Sequence, residues 1–398
     1  MGKQIQEAYI VAALRTPVAK RRGMFRYVRP DDMLAHVIAG VVAQVPGLDT
    51  AEIAEVVTGC ANPEAEQGFN VSRVGSLIAG LPVGVPAYTV NRFCSSGLQA
   101  VALAADRIRL GEADVVLACG TESMSVMPTM IGNKTVQNPA IVGQDHLVPV
   151  AWGMGLTAER VATRWNVSRD AQDAFAAASH EKAVAAIAAG SFRDEILPYA
   201  VRDHLPGEGG AVRVVERLCD TDEGPRPGTT AEALARLKPV FAMGGSVTAG
   251  NSSQMSDGAG AVMLMSEAAL RRYGVQPIAR FVSYAVAGVE PEVMGVGPIE
   301  AIPRALQRGG LKLDDVDWIE LNEAFAAQAL AVIDTLGIDG KRVNPLGGAI
   351  ALGHPLGATG AIRTATIMNA MRRGDAKLGM VTMCIGTGMG AAGIFERV

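Results

Sequence analysis

The first and last thirds of this chain follow one plan, and that repetition limits the fold more than any single motif. Thirty-two residues separate Asn62 from Cys94, and thirty-two separate Asn322 from His354. In the first third, residues 51–57 lead to Asn62. Cys94 then precedes a predicted helix that closes at Gly111, and residues 113–118 read as a buried strand reaching Cys119-Gly120-Thr121. In the last third, residues 313–319 lead to Asn322, His354 precedes a helix closing at Gly374, and residues 378–383 form a strand reaching Cys384-Ile385-Gly386-Thr387. The next legs differ, 25 residues from Cys94 to Cys119 against 30 from His354 to Cys384, a difference an inserted turn would absorb. Spacing and element order together predict a duplicated α/β unit, with two mixed sheets and helices packed on and between them.

The composition agrees. At 398 residues the chain has room for two domains or one large duplicated one. Charged residues are only 19% and glycines number 46, which suits a well-buried α/β interior with close backbone approaches. A net charge of −4 gives no global basic field for nucleic acid. No apolar run reaches membrane-spanning length. The polar start, Met1-Gly2-Lys3-Gln4-Ile5-Gln6, fits neither a signal peptide nor a myristoylation site. Five cysteines form no Cys-x-x-Cys pair and no even framework, so a reduced cytoplasm is expected.

Between the repeats, over residues 121–250, the pattern changes. Met124, Met127, Met130 and Met154 cluster among Pro and Gly, a helix is predicted at residues 169–189, and a loop-rich stretch carries Gly207, Gly209, Gly210, Pro225 and Pro227. An insertion of this length reads as a cover for a substrate. The methionines suit either an adaptable apolar pocket or ordinary core filling.

Cys94 follows a strand predicted at residues 85–90 and stands before a helix with apolar Leu98, Val101, Ala102, Ala105 and Ile108. Unpaired N–H groups and the positive end of the dipole at such a mouth favour thiolate, the nucleophilic form; a small core cysteine would suit the same position. His354 is the one ionisable side chain of a glycine-dense segment, and Pro355 biases it away from helix. At a helix mouth the dipole disfavours imidazolium and leaves a neutral base. Gly388, Gly390 and Gly393 spell a dinucleotide fingerprint, but no helix or acidic ribose ligand can follow, so they read instead as backbone that lets N–H groups approach an oxyanion. Asn322 follows a buried strand, where a turn-capping role is equally open. No spacing of His, Cys or acidic residues supports a metal site. His36, His146 and His204 read as surface or structural.

With Asn91-Arg92-Phe93-Cys94-Ser95-Ser96-Gly97, Asn322-Glu323-Ala324-Phe325, Gly353-His354-Pro355 and Cys384-Ile385-Gly386 in order, the chain resembles the thiolases over essentially its full length. The resemblance implies a duplicated, five-layered α-β-α-β-α fold with an inserted loop domain. Its halves would be 1–268, containing the insertion at about 121–250, and 275–398. It implies Cys94 as nucleophile and acyl carrier, His354 as its activator, and Cys384 as the acid/base at the acetyl α-carbon. Asn322, through a water, and His354 would hold one oxyanion; the N–H groups of Cys94 and Gly386 would hold the other. Ser253 and Arg226 match positions that contact coenzyme A, and Met154, Met294, Ala324 and Phe325 match the pocket. Coenzyme A would be a co-substrate, with no permanently bound cofactor and no metal. A homodimer or homotetramer is implied, and a hydratase/dehydrogenase subunit of β-oxidation is a possible companion. Gly153 stands where short-chain acetoacetyl-CoA thiolases typically carry His, which favours degradative thiolysis of 3-ketoacyl-CoA over acetoacetyl-CoA synthesis. Cys384 argues against a ketoacyl synthase, and a non-catalytic coenzyme A-binding module is the alternative of a different class.

Overall fold

The computed structural model describes residues 5–126 and 137–398; Met127, Met130 and residues 1–4 of the polar start lie outside that range. The first repeat contains β1 (Tyr9–Arg15), β2 (Ala19–Lys20), α1 (Pro30–Ala43), β3 (Glu55–Gly59), α2 (Val71–Ile78), β4 (Ala87–Val90), α3 (Ser96–Arg109) and β5 (Val115–Ser123). The insertion contributes α4 (Pro139–Val142), α5 (Met154–Arg164), α6 (Arg169–Ala188), β6 (Tyr199–Pro206), β7 (Val212–Cys219) and α7 (Ala231–Ala235). After β8 (Ser256–Met265) and α8 (Glu267–Tyr273), the second repeat runs β9 (Ala279–Gly288), α9 (Gly297–Gly309), β10 (Trp318–Leu321), α10 (Ala326–Leu336), α11 (Ala349–Leu352), α12 (Leu356–Arg373), β11 (Leu378–Ile385) and β12 (Met389–Arg397).

Each half builds a mixed sheet. β3 pairs in parallel with both β4 and β5, as β10 does with β11, while β5–β8, β8–β1, β11–β12 and β12–β9 are antiparallel. The two expected sheets are joined: Tyr9 pairs with Arg280 and Ile10 with Ala279, so one ladder runs β10-β11-β12-β9-β1-β8-β5-β3-β4. Strand side chains alternate between faces, and the alternation sorts them into layers. Val115, Leu117 and Cys119 of β5 pack outward with Met33, Leu34 and Ile38 of α1, while Val116 and Ala118 face inward onto α3 and α12. Likewise Met380 of β11 packs with Ala301 and Ile302 of α9 and Val332 of α10, while Val381 and Met383 turn inward. The result is the five-layer order: α1 and α2, sheet, α3 and α12, sheet, α9 and α10.

The central layer explains the unequal legs. α3 has 14 residues and α12 has 18, so the second copy spends the extra length on one more helical turn rather than on a loop. Every residue of α12 from Leu356 to Met371 is buried, as expected of a helix covered on all sides. α3 and α12 meet through glycine: a Cβ on Gly97 would lie 2.7 Å from the Ala361 nitrogen, and one on Gly360 only 2.0 Å from the Leu98 nitrogen. Of the stretch read as loop-rich, the part with Gly207, Gly209 and Gly210 is the β6–β7 hairpin, turned through Gly209 and Gly210 at φ 66° and 82°, while the part with Pro225 and Pro227 is irregular as expected. No helix among the described residues is long and apolar enough to cross a membrane.

Gly360→Ala should lower the urea midpoint by the equivalent of at least ~1–3 kcal/mol, the range for an overpacked core, because backbone must move. Gly153→Ala, where an added Cβ meets nothing within 4 Å, should stay within about 0.5 kcal/mol of the parent.

Candidate active site

β4 delivers the chain to Asn91 and Arg92, and a single 3-10 turn, Phe93–Ser95, carries Cys94 before α3 begins at Ser96. Phe93 sits at φ 43°, a left-handed conformation that costs a non-glycine residue on the order of 1 kcal/mol or more. Local hydrogen bonds hold it there. Its N–H donates to Asn91 Oδ1 at 2.8 Å, its carbonyl accepts from Ser96 Oγ at 2.7 Å, and Asn91 Nδ2 donates to the Ala61 carbonyl at 3.0 Å.

Cys94 is 4% exposed. Burial pushes its thiol up to about 11, with nearby Glu122 adding to the rise; N–H groups of Gly386 and of Cys94 itself pull the other way and lose. This corrects the expectation from the helix mouth. Desolvation outweighs the dipole here, and the resting residue is a thiol.

His354 follows Gly353, whose φ of 95° turns the chain out of α11. Its backbone N–H donates to Ser256 Oγ at 3.2 Å, and it bridges to Met255. The ring lies between two partners: Nδ1 is 2.7 Å from Thr359 Oγ1, and Nε2 is 3.3 Å from Asn322 Nδ2. An amide nitrogen can only donate, so Nε2 accepts and Nδ1 carries the proton to Thr359. Burial, then the Arg363 guanidinium, pushes the imidazole down to about 3. It is neutral, as expected, but the cause is desolvation first and a cation second rather than the helix dipole. Asn322 caps no turn: its N–H donates to the Thr382 carbonyl at 2.9 Å, and its buried Oδ1 has no partner among the described residues.

Cys384, in β11, is fully buried and packs with Met154, Met294, Ala324 and Phe325. Burial and then the charge of a neighbouring Cys94 thiolate push its thiol well above the ordinary value. The two sulfurs therefore belong to one site, and Cys384 does not favour ionising beside a charged Cys94. Gly386 follows in a turn with Thr387 at φ 68° and Gly388 at φ 94°.

Cys94 and His354 line one pocket of about 590 Å³, together with Arg226, Ser253, Met154, Met294, Ala324 and Phe325. All six binding positions expected from the resemblance thus converge. Asn322, Cys384 and Gly386 are buried outside that lining, touching it through His354, the pocket methionines and Cys94. Two backbone bonds, Ser253 N–H to the Ala324 carbonyl and Ala326 N–H to the Asn251 carbonyl, both 2.9 Å, stitch the end of the insertion onto the second repeat. Arg226 is placed by His180, whose Nδ1 accepts its backbone N–H at 3.2 Å, and burial holds that ring down to about 4. Among the described residues, no group of three or more His, Cys, Asp or Glu could hold a metal ion.

Sequence reasoning missed Thr359, Lys20, Arg21 and Phe241. Thr359 had a signal, standing in the first turns of the helix that His354 precedes; the other three reach the pocket only through tertiary packing.

Because His354 has a folded value near 3 against an ordinary 6.5, the unfolded chain binds the extra proton between those values. This contribution to stability is full above pH 6.5 and is lost as pH falls toward 3. His354→Asn should flatten the urea-midpoint-versus-pH curve in that window, and wild-type activity should show no ionisation of this ring near pH 6.5.

Comparison with known proteins accords with this geometry. The family models for the N-terminal and C-terminal thiolase domains match residues 8–268 and 275–397. The 3-ketoacyl-CoA thiolase of Bacillus subtilis is 50% identical over 98% of this chain and 100% of its own length. The acetyl-CoA acetyltransferase of Pseudomonas aeruginosa is 47% identical over 98% of both chains. The peroxisomal 3-ketoacyl-CoA thiolase B of Rattus norvegicus is 46% identical over 98% of this chain and 91% of its own. The crystal structure of the Bacillus anthracis acetyl-CoA acetyltransferase superposes with a TM-score of 0.90 at 36% identity, covering 100% of both chains. The buried thiol pair, the neutral imidazole and the duplicated scaffold all fall within one family: the chain belongs to the thiolases, acyltransferase enzymes with an α/β fold.

Proposed function

We propose that this enzyme cleaves 3-ketoacyl-CoA with coenzyme A, giving acetyl-CoA and an acyl-CoA two carbons shorter. The observation that carries this reading is the placement of Cys94 and His354 on one pocket, with the Cys384 thiol packed behind it. Cys94 sulfur attacks the keto carbon while His354 Nε2 takes its proton. With the thiol near 11 and the imidazole near 3, the transfer is uphill at rest, so it accompanies the attack. The oxyanion forms beside donors held in a dry site. The C2–C3 bond then breaks, its electron pair moves into the acetyl-CoA enolate, and Cys384 protonates the α-carbon. Incoming coenzyme A gives its thiol proton to the Cys384 thiolate and attacks the acyl-Cys94 thioester. The Cys94 thiolate leaves and recovers its proton from His354. In this reading Asn322, through a water, and His354 serve one oxyanion, and the N–H groups of Cys94 and Gly386 serve the other.

Ser253 and Arg226 on the pocket wall are assigned to coenzyme A, and the apolar Met154, Met294, Ala324 and Phe325 to the acyl portion. The degradative direction is favoured by the identity of residue 153, a glycine where short-chain acetoacetyl-CoA thiolases typically carry His. The Pseudomonas acetyltransferase relative keeps acetoacetyl-CoA synthesis as the second reading. We assign residues 1–268 and 275–398 as the two halves and 121–250 as the substrate cover. Assembly as a homodimer or homotetramer is supported by β4, half-buried at the edge of the sheet, and by Phe69 at 99% exposure, next to Asn70, whose Nδ2 donates to the Ala87 carbonyl of that strand. A cytoplasmic location and association with a hydratase/dehydrogenase subunit complete the proposal.

Mixing with 3-ketoacyl-CoA should leave an acyl adduct on Cys94 by intact mass; its absence would return the chain to a coenzyme A-binding module. Cys384→Ser should still acylate Cys94 by thioester exchange, while carbon–carbon cleavage falls by ~10²-fold or more. Equal loss of both would sink this division of labour. A chain-length series with free coenzyme A should show cleavage beyond four carbons, and negligible cleavage there would select the synthetic reading.

A further inference from the structure

Glu122, in β5, is fully buried, makes no ion pair among the described residues, and has no part in the steps above. Its carboxylate accepts five N–H groups. Oε2 takes the backbone N–H of Ala61 at 2.8 Å and that of Gly357 at 3.0 Å. Oε1 takes Gln67 Nε2 at 2.6 Å and both the backbone N–H and Nδ2 of Asn62 at 3.2 Å.

These donors come from two sides of the site. Ala61 leads to the nucleophile, since its carbonyl accepts from Asn91, whose Oδ1 holds the strained Phe93 next to Cys94. Gly357 leads to the base, lying three residues past His354 in the first turn of α12. The join has no slack: a Cβ on Gly357 would lie 2.6 Å from the Ala61 nitrogen and 2.8 Å from Glu122 Oε2.

Resting on the thiolase reading, we infer that Glu122 is a positioning residue whose single carboxylate clamps the turn bearing Cys94 to the helix bearing His354. The two catalytic groups come from different halves of the chain, and this clamp fixes their relative placement. A second consequence follows from its charge. The titratable groups around Cys94 are Glu122 from β5, His354 ahead of α12 and Cys384 from β11, with the cations Lys20, Arg21 and Arg226 on the same pocket wall; those beside Glu122 are Cys60 and Cys94. Burial raises the Glu122 carboxyl, and the N–H donors of Ala61, Gly357, Asn62 and Gln67 oppose that rise by favouring the carboxylate; the charged form disfavours the Cys94 thiolate, an effect that a purely space-filling residue would not exert.

Glu122→Gln removes the charge and turns an amide donor toward at least one N–H. The folded variant, verified by circular dichroism, should lose about 10–10²-fold in kcat, the cost of a small misplacement, with KM for coenzyme A within about twofold. The pH profile of Cys94 alkylation by iodoacetamide should move to lower pH. Glu122→Asp keeps the charge but not the reach, so its kcat should fall while its alkylation profile stays at the wild-type position. Wild-type kcat in both variants overturns the proposal. So does a loss of kcat with an unshifted alkylation profile in Glu122→Gln, which would mark a structural role alone. Should Glu122→Gln not fold, Glu122→Asp decides: reduced kcat supports the clamp and wild-type kcat refutes it. A wild-type protein that never acylates Cys94 refutes the thiolase reading instead, and the alkylation profiles read the charge of Glu122 independently of that result.

Discussion

The backbone contact between α3 and α12 is the constraint on which the rest of the molecule depends. Side chains normally keep helix axes 8–10 Å apart; here Gly97 and Gly360 remove them where each helix begins its buried run. Two consequences follow from that approach. The inner faces of both sheets close over one helical layer, giving a single apolar core shared by the repeats. The segments entering the two helices also become neighbours, so a cysteine in one copy and a histidine in the other meet although 260 residues separate them. The fold creates the site by symmetry, and the repeats then diverge to supply different chemistry.

That site is electrostatically quiet at rest. Cys94 is a thiol, His354 a neutral imidazole, and Cys384 a thiol held from ionising first by burial. A pre-formed ion pair would stabilise the free enzyme, and reaction would then have to overcome that stabilisation. A neutral pair with donors already aimed spends its favourable interactions where charge develops. The buried network around it has the same logic. Glu323 accepts from Ser179 Oγ, Asn344 Nδ2 and the Ile350 N–H at 2.7, 2.8 and 3.2 Å, fixing the loop that leads to His354 against the end of β10.

Much of this is legible in the sequence. The repeat spacing identified the two helix mouths, and strand-end motifs pointed to Cys384 and Asn322, because these signals are local and periodic. The joining of the two sheets was not legible, since it rests on only two residue pairs, Tyr9 with Arg280 and Ile10 with Ala279. The charge state of Cys94 is not legible for a different reason. Sequence displays the helix end that stabilises a thiolate but not the burial that opposes it, and burial is the larger effect. Glu122 and Thr359 also escaped notice as members of the site, because their importance lies in partners distant in sequence or in ring orientation.

The raised thiol of Cys94 has a consequence for how the enzyme ages. With the thiol raised by burial, little of it is ionised at pH 7. Peroxide attacks thiolates, and sulfenic acid is the first rung of a ladder that ends irreversibly. Cysteine enzymes that keep an ionised nucleophile at rest are exposed to that chemistry between turnovers. Here burial, the feature that makes the nucleophile costly to activate, also makes the idle enzyme a poor target for oxidants.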